Sequence, residues 1–82
     1  MQLLVIWSDG SEERMNITND PELLAFVVGG FPKAVPYSDD FVLVYSDEAN
    51  KARPNRIAVG GKKFFGAVAI MKGADYERII HR

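Results

Sequence analysis

Turn signals recur so closely along this sequence that no secondary element in it can be long. Asp9-Gly10, Asn19-Asp20-Pro21, Gly29-Gly30, Ser38-Asp39-Asp40 and Gly60-Gly61 punctuate a chain of 82 residues. Glycine supplies positive φ, proline a fixed φ, and aspartate a side chain that bonds its own backbone. Short pieces must be held by packing, since an isolated helix of fewer than about 12 residues is marginal in water. The elements are therefore expected to share one core in a single domain spanning residues 1–82. A domain this small buries only about 60–65% of its unfolded surface, so oligomerisation is an expected source of further stability.

Residues 2–7 are rich in Leu, Val, Ile and Trp, and Met15 and Ile17 recur at period two beyond the Asp9-Gly10 turn. Residues 2–7 and 12–17 are thus expected to pair as a β-hairpin. Asp20 is placed to cap a helix, Pro21 suits its first position, and Glu22 complements the positive end of its dipole. The run over residues 23–28 is apolar and Gly29-Gly30 stops it. Apolar on every side, that helix either lies under the sheet with a second layer above it or gives one face to another subunit.

Pro32 and Pro36 fit residues 31–37 to an edge strand or extended segment, because each lacks an amide donor. Residues 41–45, FVLVY, form the clearest strand signal, and residues 47–55 read as a polar loop. Asn55 is placed to cap one helical turn over residues 55–59. Residues 64–71 are apolar enough for a last, central strand, and residues 74–80 form a short terminal helix with Tyr76, Ile79 and Ile80 on one face. The expected fold class is α+β: a small domain with a mostly antiparallel sheet of about five strands, one short central helix and a short C-terminal helix.

Composition narrows the chemistry. The chain has no cysteine and one histidine, His81 beside the C-terminus, so a zinc site, a thiolate nucleophile or a histidine-based triad has nothing to be built from within one chain. Asp39, Asp40, Asp47 and Glu48 lack the alternating oxygen ligands of a calcium loop and read as turn residues. No catalytic residues, metal or cofactor are expected, and the protein is read as a non-enzyme. No stretch approaches the ~18 apolar residues of a membrane span, and the Met1 end lacks a secretory pattern, which points to the cytoplasm.

The net charge of −1 hides a polarity: residues 1–48 carry nine acids against Arg14 and Lys33, whereas residues 49–82 carry eight basic residues against Asp75 and Glu77. Such asymmetry marks either an anion-binding face, complementary subunit faces, or charges that intersperse once the sheet folds. With a pI near 5.7, nucleic acid is not an expected partner.

The segment ARPNRIAVGGKKFFGAVAIM holds the candidate ligand-binding residues. Gly60-Gly61-Lys62-Lys63 resembles a phosphate loop only loosely, because it lacks the Walker spacing and the Ser or Thr for magnesium. A plain hairpin turn with solvated lysines is the competing reading. Arg53-Pro54-Asn55-Arg56 offers two guanidinium forks and an amide on a loop stiffened by proline. Its competing reading makes Asn55 a cap and Arg56 a bridge to the acidic half. Tyr45 or Phe31 would supply a stacking ring.

The order Val28-Gly29-Gly30, Val35-Pro36, Pro54-Asn55-Arg56 and Gly66-Ala67-Val68 resembles a family of short phage and mobile-element proteins known only as a domain of unknown function. In that family a helix ends in Val-Gly-Gly, a strand with Val-Pro follows, then a second strand and an acidic turn, and a Pro-Asn-Arg triplet and a Gly-x-Ala-Val strand close the pattern. Where the family carries Glu shortly before Val-Pro, this chain has Lys33-Ala34. The resemblance implies phage or prophage origin, hence a host cytoplasm, and offers no established activity. Small phage domains without catalytic equipment commonly act by binding.

The leading expectation is a homo-oligomer that sequesters a small anionic or nucleotide-like ligand between subunits, through Arg53, Asn55, Arg56, Lys62, Lys63 and Tyr45. The alternative is a protein-interaction module that occludes a host protein through the apolar helix and the acidic hairpin.

Overall fold

In a computed structural model that describes residues 1–81, the chain runs β1 (Gln2–Ile6), β2 (Glu12–Asn16), α1 (Pro21–Val28), β3 (Lys33–Ser38), β4 (Phe41–Tyr45), β5 (Pro54–Val59), β6 (Lys62–Phe65), β7 (Val68–Lys72) and α2 (Gly73–Ile80). Among the described residues the fold is α+β, with a five-stranded antiparallel sheet in the order β2-β1-β7-β4-β3 and a separate β5-β6 hairpin. No helix among them is long and apolar enough to cross a membrane.

The first turn is built as its residues require. The Ser11 amide and hydroxyl donate to Asp9 Oδ1 at 2.8 and 2.6 Å, and the Gly10 amide donates to the Trp7 carbonyl at 2.9 Å. Helix α1 starts where Asp20 Oδ1 accepts the Glu22 amide at 2.9 Å and stops at Gly29, whose amide returns to the Ala25 carbonyl. Of its apolar residues only Leu24 and Val28 are buried.

Alternation along the central strands assigns their side chains to two cores. Leu3, Val5, Val44, Ala69 and Met71 meet Leu24 and Val28 of α1 and Tyr76 and Ile79 of α2 on one face. Leu43 and Val68 point the other way and are covered by Phe64, Ile57 and Val59 of the hairpin. Strands β4 and β7 are thus buried on both sides, which is why FVLVY and VAIMK read as nearly continuous apolar runs. Strand β3, with Pro36, is an edge, as its missing amide requires.

Three expectations are corrected. Residues 55–59 are not a helical turn but belong to β5. Asn55 Oδ1 does accept the Ile57 amide at 3.1 Å, the bond a cap would make, yet pairing with β6 and inward burial of Ile57 and Val59 hold the backbone extended. The single strand over residues 64–71 is broken at Gly66, whose φ of +69° turns the chain out of the hairpin and into the main sheet. Ile80 does not join Tyr76 and Ile79 in the core and stays exposed.

Candidate anion-binding surface

The segment between β4 and β5, residues 46–53, is polar but firmly tied. The buried Ser46 accepts the Glu48 amide on its hydroxyl at 3.1 Å, and Asn50 Oδ1 accepts the Ala52 amide at 2.9 Å. The Glu48 carboxylate accepts the Phe31 amide just beyond α1. Ala49 is buried against the glycine-rich ends of two neighbouring segments, at Gly29 and Gly66. Stacked Asx-type turns hold a loop without help from regular structure.

That loop presents Asp47 to three ammonium groups. Lys33 Nζ lies 2.7 Å from Asp47 Oδ2, and Lys51 Nζ donates to the Asp47 carbonyl at 3.2 Å. The Lys33 ammonium, by hydrogen bond first, holds the Asp47 carboxyl below its ordinary range, and the fields of Lys62 and Lys51 act in the same direction. The same contact raises Lys33. Lys33 is thus the direct partner of the carboxylate, while Lys51 and Lys62 act on it from further off.

Aromatic rings stand beside two of the three ammonium groups, on the two faces of β6: Phe64 shares the face of Lys62, and Phe65 the face of Lys63. Lys62 Nζ sits 4.9 Å from the centroid of Tyr45 and 5.8 Å from that of Phe64, while Lys51 Nζ sits 4.9 Å from Phe65. Tyr45 and Phe64 meet edge to face with centroids 5.0 Å apart. Ammonium groups at such distances are attracted by the ring quadrupole and held in place.

The six expected site residues do not assemble into one pocket. Tyr45 and Lys62 belong to this cluster. Lys63 pairs with Ala58, one residue out of phase with Lys62, and so faces away from it. Arg53 lines a separate cleft of about 490 Å³ with Trp7, Val28, Asn50 and Ala67. Arg56 lies against the β1–β2 turn, its Nη2 3.5 Å from the Gly10 carbonyl, and weakly supports the lowered pKa of Asp9, which arises first from the Ser11 hydroxyl. Asn55 is buried and its amide is spent on backbone, donating to Ile6 O at 2.9 Å and Gly66 O at 2.8 Å.

The double glycine is a two-residue hairpin turn between β5 and β6, so the phosphate-loop reading fails for want of a following helix. Phe31 lies on the helix side of the molecule, exposed. The charge polarity of the sequence is largely interspersed, with Lys51 and Lys62 from the basic half beside Asp47 and Arg56 beside Asp9.

Lys33 and Lys51 were missed as candidates. The hairpin implied by Ser38-Asp39-Asp40 carries a signal for the first, because its register sets Lys33 directly opposite Tyr45. Among the described residues no three His, Asp or Glu side chains are grouped to hold a metal ion. No protein-family model, no curated protein and no solved structure matches this chain.

Proposed function

We propose that this chain is a small, non-enzymatic binding protein that takes an anionic, phosphate-bearing ligand at the lysine cluster around Asp47. The observation that carries this reading is the gathering of three lysines around Asp47, with Lys33 on its carboxylate, Lys51 on its backbone carbonyl and Lys62 acting through its field, and with the Lys51 and Lys62 ammonium groups set over aromatic rings. Lysine is a compact point charge suited to phosphate oxygens, and the Tyr45 ring beside Lys62 suits the flat base of a nucleotide. The surface is open, so binding would depend strongly on charge and weaken with salt. Phage origin, suggested by the sequence resemblance, fits a protein that sequesters a ligand without transforming it.

Calorimetry with ATP, cyclic nucleotides and inorganic phosphate tests the proposal. Binding in low salt that is lost in Lys62→Ala and Lys51→Ala, while Arg56→Ala retains it, supports it. Absence of heat with every probe at millimolar concentration, or binding indifferent to both lysine substitutions, overturns it.

A further inference from the structure

The helix layer leaves apolar surface uncovered in one place. Phe26 is 86% exposed and Phe31 71%, with Leu23 at 41% and Ile80 at 38%. Leu23 and Phe26 are three apart on α1 and therefore neighbours on its surface. Between α1 and α2 runs a groove of about 550 Å³ lined by Pro21, Ala25, Phe31, Pro32, Tyr76 and Ile80. Glu22, four residues before Phe26, also lines it, which sets Phe26 on its rim.

We infer that this face is the interface of a two-fold dimer, in which Phe26 of each copy inserts into the α1–α2 groove of the other. Two arguments select a second copy as the occupant. First, an isologous interface requires one patch to carry both a projection and its complement, and here the projecting ring and an apolar groove able to receive a ring lie side by side. Second, the area fits. Taking about 200 Å² for a whole phenylalanine side chain, Phe26 and Phe31 leave roughly 300 Å² in water per copy. Doubling across a two-fold axis gives an apolar centre of about 600 Å², and Leu23, Ile80 and a polar rim bring it towards the ~1,200–2,000 Å² of a stable interface. A domain of this size, with a modest core of its own, gains correspondingly from such burial. This inference is independent of the lysine cluster, whose Tyr45 and Phe64 belong to the hairpin face of the sheet.

Light scattering and sedimentation between about 1 and 100 µM read the mass directly against the 9.1 kDa chain. Wild type is expected at twice that mass, and Phe26→Glu at the single-chain mass with a cooperative melt retained, since the side chain is exposed. Ala25→Phe, which fills the groove from within, is expected to give the same loss. Phe41→Glu, on the opposite face of the sheet, leaves the dimer intact. A wild-type monomer at 100 µM overturns the inference. So does a dimer that survives both Phe26→Glu and Ala25→Phe, or one that Phe41→Glu dissociates instead. A wild-type monomer that co-sediments with phosphatidylcholine vesicles through Phe26, or that holds a different polypeptide there, would assign the patch to those occupants and likewise overturn the dimer.

Discussion

The side chain of Asn55 donates to the carbonyl of Ile6, 49 positions earlier, at 2.9 Å. A second hydrogen from the same amide goes to Gly66 O at 2.8 Å, so one buried residue joins β1, β5 and the step from β6 to β7. The Asn in the Pro-Asn-Arg triplet is therefore a structural tie.

Asn55→Ala is expected to destabilise the protein by about 2–3 kcal/mol, because it strips partners from buried backbone groups. For a domain of this size that lowers Tm by roughly 10–20 °C. Asn55→Asp should be no milder, since it keeps the acceptor for Ile57 but loses both donors and buries charge. Thermal melts check this, with Arg56→Ala, whose contact is long and exposed, expected to melt close to wild type.

Gly30 is expected to tolerate substitution less well than Gly29. Both have positive φ, +88° at Gly29 and +153° at Gly30. A Cβ at Gly29 would meet Ala49 at an ordinary 3.6 Å, so Gly29→Ala costs about 1–2 kcal/mol for its left-handed backbone alone. A Cβ at Gly30 would press into the Glu48 side chain and approach Ser46 Oγ to 2.7 Å, displacing the loop that carries Asp47. Denaturant midpoints of the two alanine variants should fall in that order.

Acid should weaken the fold partly through Asp47. Its folded pKa lies below the unfolded value, so its contribution is present above the unfolded pKa of about 4 and is lost as pH falls through the folded one. Asp47→Asn should therefore lie below wild type in urea midpoint at pH 6, with the gap closing towards pH 2. A constant gap across that range would mean that the Lys33 contact contributes nothing through titration.

Ligand affinity should fall as sodium chloride rises from 20 to about 300 mM, because exposed charges are screened within ~8 Å at physiological ionic strength. The decline should be shallower in Lys33→Ala, which removes a cation from the cluster. Salt-independent affinity would place the ligand elsewhere.

Much of the architecture was legible because its signals are local. The Asp9-Gly10 turn, the Asp20 cap with Pro21 behind it, the Gly29 stop and the Gly60-Gly61 turn each act within a few residues, through φ preferences and side chain to backbone bonds. The FVLVY run marked β4 as a strand from its composition, and the structure buries Leu43 and Val44 on its two opposite faces.

The tertiary structure decided what local chemistry left open. Asn55 makes the same bond to Ile57 that a helix cap would make, and only pairing with β6 and the packing of Ile57 and Val59 beneath the hairpin chose a strand. The apolar run of β7 announced a central strand, but that its neighbours are β1 and β4 is set by how its two faces are covered and is not expressed in sequence order. The candidate site shows the same division. The sequence set down the lysines and the aromatic residues, but the cluster forms only where the β3–β4 register brings Lys33 beside Tyr45 and the folded loop turns Asp47 and Lys51 towards them. Turns are fixed by the energies of neighbouring residues. Strand order and side-chain convergence are fixed by burial, which depends on residues that meet only after the chain has folded.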